Sequence, residues 1–210
     1  MPTAALVLMV VAGVAALVDW LAVARGILGL ELVAKPAVIV ALVGVALSAE
    51  VADGVAQGLV VAALGASVVG DMVLAVPEGR FEVGLGAFLA AHALYVPALA
   101  RDATTGPLLV GVALVAVLVA LVAPRLVAAV RRESPRLVLP VVVYVAALGA
   151  TAAMGVGTGT LAGAVGGLSF LASDALLGWG RFVGAAPGGR VLVHVTYHVA
   201  QMALVVWLVT

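Results

Sequence analysis

Residues 107–123 read PLLVGVALVAVLVALVA, seventeen positions without a charge or a side-chain hydrogen-bond donor. A helix of that length rises about 25 Å, close to the roughly 30 Å of hydrocarbon in a bilayer. No alternation of period two runs through it, and it is too long for a barrel strand, so its backbone must satisfy its own hydrogen bonds as a helix. Working outward, similar runs lie near 3–23, 33–49, 55–76, 83–100, 137–154, 160–178 and 191–209. The pieces between them hold the breakers Pro36, Pro77, Pro107, Pro135, Pro140 and Pro187 and the Gly188-Gly189 pair. The expected fold class is all-α: a polytopic membrane protein of eight transmembrane helices, one domain over 1–210.

Composition agrees. The chain is 66% hydrophobic and 10% charged, with a mean hydropathy of +1.35, outside the range of soluble domains. Zero net charge gives no reason to expect a nucleic-acid partner, and without cysteine there is no disulfide, thiolate metal site or Cys nucleophile. The N-terminus lacks a basic n-region, so the first run reads as a retained helix. Cationic side chains set the orientation. Arg25, Lys35, Arg80, Arg125, Arg131, Arg132, Arg136, Arg181 and Arg190 fall at one end of the expected helices and only Arg101 at the other, which puts both termini outside the cytoplasm. A single lysine against abundant Ala, Val, Gly and Arg points to a GC-rich bacterial genome and so to a plasma membrane.

The two halves echo each other. Helices 2 and 6 open on Leu32-Val33-Ala34-Lys35-Pro36 and Leu137-Val138-Leu139-Pro140, and helices 3 and 7 end in a small residue, Asp, two more residues and Leu, as two parallel four-helix repeats would. Gly155, Gly159, Gly163 and Gly167 recur every four residues and read as a packing seam.

Two carboxylates stand inside these apolar runs: Asp71 in GASVVGDMVL (65–74) and Asp174 in LSFLASDALL (168–177). A charge at that depth needs a partner or a wet cavity, which makes both the leading site candidates. Ser67 shares the face of Asp71, four residues before it. Phe81, Gly84, Phe88, His92 and Tyr95 form one stripe of helix 4; His194, Tyr197, His198 and Gln201 form another on helix 8, and Tyr144 stands at comparable depth on helix 6. Turned inward, these groups make one pocket facing the cytoplasm. Plainer readings stand beside that one. Lys35 either pairs with an aspartate or snorkels to the headgroups. Ser67 and Ser173 read as helix serines bonded to the backbone, and neither sits in a Gly-x-Ser-x-Gly elbow, against a serine hydrolase. Tyr95, Tyr144 and Tyr197 suit a belt or packing role. His194 and Asp19 read as interfacial. No spacing gathers three metal ligands, so neither metal nor cofactor is expected.

Taken in order, Lys35-Pro36, Ser67-x-x-Gly70-Asp71, Phe81-x-x-Gly84-x-x-x-Phe88-x-x-x-His92-x-x-Tyr95, Tyr144, Gly163-Ala164, Phe170-x-x-Ser173-Asp174 and Tyr197-x-x-Ala200-Gln201 resemble the lysoplasmalogenase family, the YhhN-like integral membrane proteins. His198 and His194 depart from the pattern, the former standing where a second aromatic is expected. The resemblance implies eight transmembrane helices and hydrolysis of the vinyl ether bond of a lysophospholipid substrate, a lysoplasmalogen, to a fatty aldehyde and a glycerophospho-headgroup. Vinyl ethers hydrolyse by protonation at the β-carbon and capture of the oxocarbenium ion by water. One protonated and one ionised carboxyl meet that need, roles that two aspartates in a low-dielectric pocket divide between them. On this reading Asp71 and Asp174 are catalytic. His92, Tyr197 and Gln201 orient water or hold the proton state, with Ser67, Tyr95, Tyr144 and Ser173 in support, and Lys35 with the Arg-rich rim binds phosphate. The second reading is a transporter or proton-coupled carrier, from the intramembrane acids and the repeat; the third is a lipid-binding protein without catalysis. Oligomeric state is left open.

Overall fold

A computed structural model of the chain describes residues 2–75 and 81–210. Its helices are α1 (Thr3–Arg25), α2 (Leu28–Ser48), α3 (Gly54–Ala75), α4 (Phe81–Leu99), α5 (Thr105–Glu133), α6 (Val138–Gly157), α7 (Leu161–Phe182) and α8 (Gly189–Val209), with a 3-10 turn at Pro135–Leu137 before α6. All eight are long and apolar enough to cross a membrane, so the chain is a multi-pass membrane protein. Pro77 and Arg80 lie outside the described residues.

Two helix ends lie five or more residues from the sequence reading. Helix α2 begins at Leu28 rather than near 33, because Gly26 takes a left-handed conformation (φ 68°) and donates its N–H to the carbonyls of Ala22 and Val23. That cap reverses the chain at once, and Glu31 falls in the first turn of α2, where the helix dipole favours a carboxylate. Helix α5 runs on to Glu133 rather than ending near 123. Pro124 is accommodated inside it, and beyond that point Leu126, Ala129 and Val130 are buried while Arg125, Arg131 and Arg132 are exposed. The last turns are therefore amphipathic, with the arginines on the outward face.

Neighbours in sequence pack as neighbours in space: α1 on α2, α2 on α3, α3 on α4, and again α5 on α6, α6 on α7, α7 on α8. Each fourth helix then leans on the second helix of the other half, α4 on α6 and α8 on α2. The pairings thus have the form that two four-helix units would give. The halves part at their first helices, since α1 also meets α8 whereas α5 packs on α6, α7 and the 3-10 turn.

The glycine series does not lie on one helix. Gly159 occupies the turn between α6 and α7 (φ 69°), while Gly155 of α6 lies against Gly163 and Gly167 of α7. A Cβ on Gly167 would stand 2.8 Å from the Cα of Ala152, so α6 and α7 approach as closely as they do only because these positions carry no side chain. That contact fixes where Tyr144 and Asp174 meet.

Candidate functional site

Helices α3 and α7 each carry one aspartate near the end of the bundle that holds most of the arginines, and both aspartates line one cavity of about 340 Å³. Each is held by two side chains arriving from a second and a fourth helix. Asp71 is 1% exposed; its Oδ2 accepts a hydrogen bond from the Tyr197 hydroxyl of α8 at 2.8 Å, and the Lys35 ammonium of α2 lies 2.9 Å from Oδ1. Lys35 also stands 5.1 Å from the centre of the Tyr197 ring, a cation–π distance. Asp174 accepts a hydrogen bond from the Tyr144 hydroxyl of α6, and His92 Nε2 of α4 lies 3.6 Å away. The two aspartates are thus served by equivalent helices of opposite halves.

The histidine's tautomer follows from its other neighbour. Thr151 donates its hydroxyl to the Ala147 carbonyl at 3.1 Å, so its oxygen is left to accept from His92 Nδ1, also at 3.1 Å. His92 therefore carries a proton on Nδ1 and turns Nε2 toward Asp174 and the Tyr144 hydroxyl, 3.4 Å distant. Two acceptors facing each other repel unless a proton lies between them. At 3.6 Å the two are too far apart for a direct hydrogen bond, so Asp174, Tyr144 and His92 form a junction with room for one further proton.

The remaining expected residues sort by depth. Ser173 lines the cavity and donates to the Val193 carbonyl of α8 at 3.0 Å, tying α7 to α8. Tyr95 donates to Gln201 Oε1 at 2.5 Å, with both groups fully buried behind the aspartates. Their place beside Phe170, whose ring meets those of Phe88, His92, Tyr95 and Tyr197, makes them support for the wall. Ser67 donates to the Ala63 carbonyl at 2.9 Å, the ordinary bond of a helix serine, and is outside the cavity lining. Burial of Tyr95, Tyr144 and Tyr197 removes the aromatic-belt reading.

Of the two readings of Lys35 the pairing holds: the side chain is 16% exposed and paired with Asp71. Two expectations are corrected. Asp19 is not interfacial but fully buried, and His194, expected at the interface, is buried against it with Nδ1 2.7 Å from Asp19 Oδ2. Glu31, unnoticed in the sequence, joins them 3.7 Å from His194 Nε2 and pairs with Arg190. Its position four residues before Lys35 was the available signal, since that spacing puts both on one face of a helix. His198 faces α1, where Nδ1 accepts from the Trp20 indole at 3.0 Å. Among the described residues no three His, Asp or Glu side chains are arranged to hold a metal ion.

A second, almost wholly apolar groove of about 220 Å³ runs between α4, α5, α6 and α7, lined by leucines such as Leu85, Leu118, Leu126 and Leu148. It shares Leu74, Phe88, Asp174 and Leu177 with the polar cavity. Phe81 and Phe182 meet edge to face at its mouth, with the Arg181 guanidinium 5.6 and 5.2 Å from their ring centres. A charged chamber and an oily slot thus meet at one carboxyl, the form expected for an amphiphile with one chain and a polar head.

The YhhN family model matches residues 30–208. Among curated proteins, "Lysoplasmalogenase TMEM86B" of Homo sapiens is 35% identical over 142 residues, 68% of this chain and 59% of the relative. Its counterparts from Sus scrofa and Rattus norvegicus are 37% and 34% identical over the same length, covering 68% of this chain and 59% and 58% of theirs. The chain therefore matches less than two thirds of the length of these relatives. No solved structure matches it.

Proposed function

This chain belongs to the YhhN family, and from that premise we propose that it is a lysoplasmalogenase, hydrolysing the vinyl ether bond of a lysoplasmalogen to a fatty aldehyde and a glycerophospho-headgroup. The observation that carries the reading is the shared position of Asp174, which belongs both to the polar cavity with Asp71 and to the apolar groove. An alkenyl chain in the groove and a head group in the cavity set the vinyl ether between the two carboxyls.

The proton held at the junction of Asp174, Tyr144 and His92 goes to the β-carbon of the vinyl ether, and the π electrons form the new C–H bond. The resulting oxocarbenium ion lies beside Asp71, which Lys35 and Tyr197 hold as a carboxylate; an anion fixed in a site of low dielectric stabilises a developing cation strongly. Water adds to the α-carbon and loses a proton to a carboxylate. The hemiacetal then collapses, its hydroxyl proton leaves, the C–O bond to glycerol breaks, and the departing glycerol oxygen is protonated. Water is consumed and the proton returns to the junction, so the site ends as it began. His92, Thr151 and Tyr144 keep that proton in place. Lys35 and Tyr197 keep Asp71 ionised.

We further place the Arg-rich end in the cytoplasm and both termini outside, with the chain acting as one transmembrane unit of a plasma membrane. The lipid then arrives sideways through the bilayer, head group at the inner surface.

Purified protein given lysoplasmenylethanolamine in deuterated water tests the reaction. The expected product is an aldehyde carrying one deuterium on the carbon next to the carbonyl, trapped by reduction before it exchanges. Uptake of the lipid into proteoliposomes with no aldehyde formed would instead mark a carrier.

A further inference from the structure

Between the aspartates and the exposed end of the bundle lies a set of charges that the proposed reaction does not use. Glu31, in the first turn of α2, is 4% exposed. Its Oε1 pairs with the Arg190 guanidinium at the start of α8, while its Oε2 is buried with no hydrogen-bond partner among the described residues. Both residues line the polar cavity together with Asp71 and Asp174. Among the described residues the other basic groups nearby are committed, Lys35 to Asp71 at 2.9 Å and His194 through Nδ1 to Asp19 at 2.7 Å, with its Nε2 3.7 Å from Glu31 Oε1. Arg190 is different: its side chain is 64% exposed, so it leaves Glu31 at little cost. Glu31 stands one helical turn, about 6 Å, nearer the end of α2 than Lys35, outward of the place assigned to the vinyl ether.

Resting on the lysoplasmalogenase reading, we propose that Glu31 and Arg190 form a head-group subsite for a zwitterionic phosphodiester that ends in an N–H ammonium. The phosphate takes Arg190, whose planar fork suits two phosphate oxygens, and the ammonium takes the place Arg190 leaves and fills Oε2. One internal ion pair is exchanged for two with the ligand, and no charge is stranded. A phosphate monoester draws Arg190 away and leaves buried Glu31 with only the His194 ring, 3.7 Å from Oε1 and already shared with Asp19, which is costly. A trimethylammonium group brings charge but no donor for the empty oxygen. The subsite therefore selects ethanolamine-type heads over choline-type and bare phosphate heads.

Saturated 1-O-alkyl lysolipids, which lack the double bond the reaction protonates, separate binding from turnover. Calorimetry on the full chain in detergent would compare phosphoethanolamine, phosphocholine and phosphate heads on one alkyl chain. The wild-type protein is expected to bind the phosphoethanolamine lipid about tenfold or more tightly than the others, the scale of one charge-assisted hydrogen bond. Glu31→Gln should erase that preference, and Arg190→Gln should weaken all three lipids, each of which brings a phosphate. Equal binding of all three heads by the wild-type protein, a comparison that needs no variant to fold, would overturn the proposal. So would a Glu31→Gln variant weakened equally toward all three. Failure of the wild-type protein to release aldehyde from a vinyl ether would sink the hydrolase instead.

Discussion

Lys35, the single lysine of the chain, shows how one side chain decides the state of another. An ionised Asp71 at 1% exposure has, among the described residues, one strong counter-charge, the ammonium 2.9 Å from Oδ1, and removing one member of such a pair costs roughly 3–5 kcal/mol. Lys35→Ala should therefore lower the thermal midpoint and cut aldehyde release by at least about tenfold, in line with lost stabilisation of a charged transition state. Lys35→Arg should recover part of both; a silent Lys35→Ala would show that Asp71 does not work as an anion. At this scale the sequence was readable where a charge interrupts an apolar run, as at Asp71 and Asp174. It was not readable where a polar residue sits near a run's end. Asp19, Glu31 and His194 all lie within about two turns of a helix terminus, where water, headgroups or a buried partner are equally consistent with the residue type. Only the meeting of α1, α2 and α8 distinguishes them. Thr151 was hidden for another reason, as a single hydroxyl in a helix that bonds its own backbone.

At the scale of elements, the runs marked the helices well and their ends less so. Hydropathy cannot see a left-handed glycine such as Gly26 or the amphipathic turns that carry α5 past Pro124, because both depend on the partner surface. The glycine periodicity was real, but the turn at Gly159 folds it back on itself, turning a supposed stripe into a contact of α6 with α7. Helix α3 offers an element-level prediction at the other end of the bundle. Asp53 precedes it, accepting from the N–H groups of Val55 at 2.9 Å and Ala56 at 3.1 Å, and it pairs with Arg101. The Arg101 hydrogen bond first, then the helix N–H groups, hold its carboxyl below the usual 3.8. A carboxyl lowered by folding adds stability above its unfolded value and loses it as pH falls through the folded value. Asp53→Ala should lower the thermal midpoint modestly at neutral pH, and the gap to the wild-type protein should close as the pH drops below 3.8. A gap unchanged down to strong acid would mean that the cap and ion pair contribute nothing.

For the whole molecule, the arrangement follows from repetition. Asp71 draws on α2 and α8, Asp174 on α6 and α4, so each site half borrows the fourth helix of the other four. A half alone would leave its carboxylate short of a partner. Two echoing sequence halves hinted at this, yet the crossed contacts of α4 and α8 are long-range packing that no local pattern records. Orientation is open to a clean measurement because the chain has no cysteine. In intact cells, a membrane-impermeant maleimide should label Asp102→Cys in the α4–α5 loop and leave Arg132→Cys at the end of α5 unlabelled. The reverse pattern would place the site at the outer surface.

The two acids themselves give the most direct measurement, through aldehyde release by Asp71→Asn, Asp174→Asn and the double variant. Groups that act as one unit are not additive. Each single change should cost roughly 100-fold or more, and the double variant should be no slower than the slower single. Wild-type turnover in either single variant, or losses that multiply in the double, would contradict a cooperating pair.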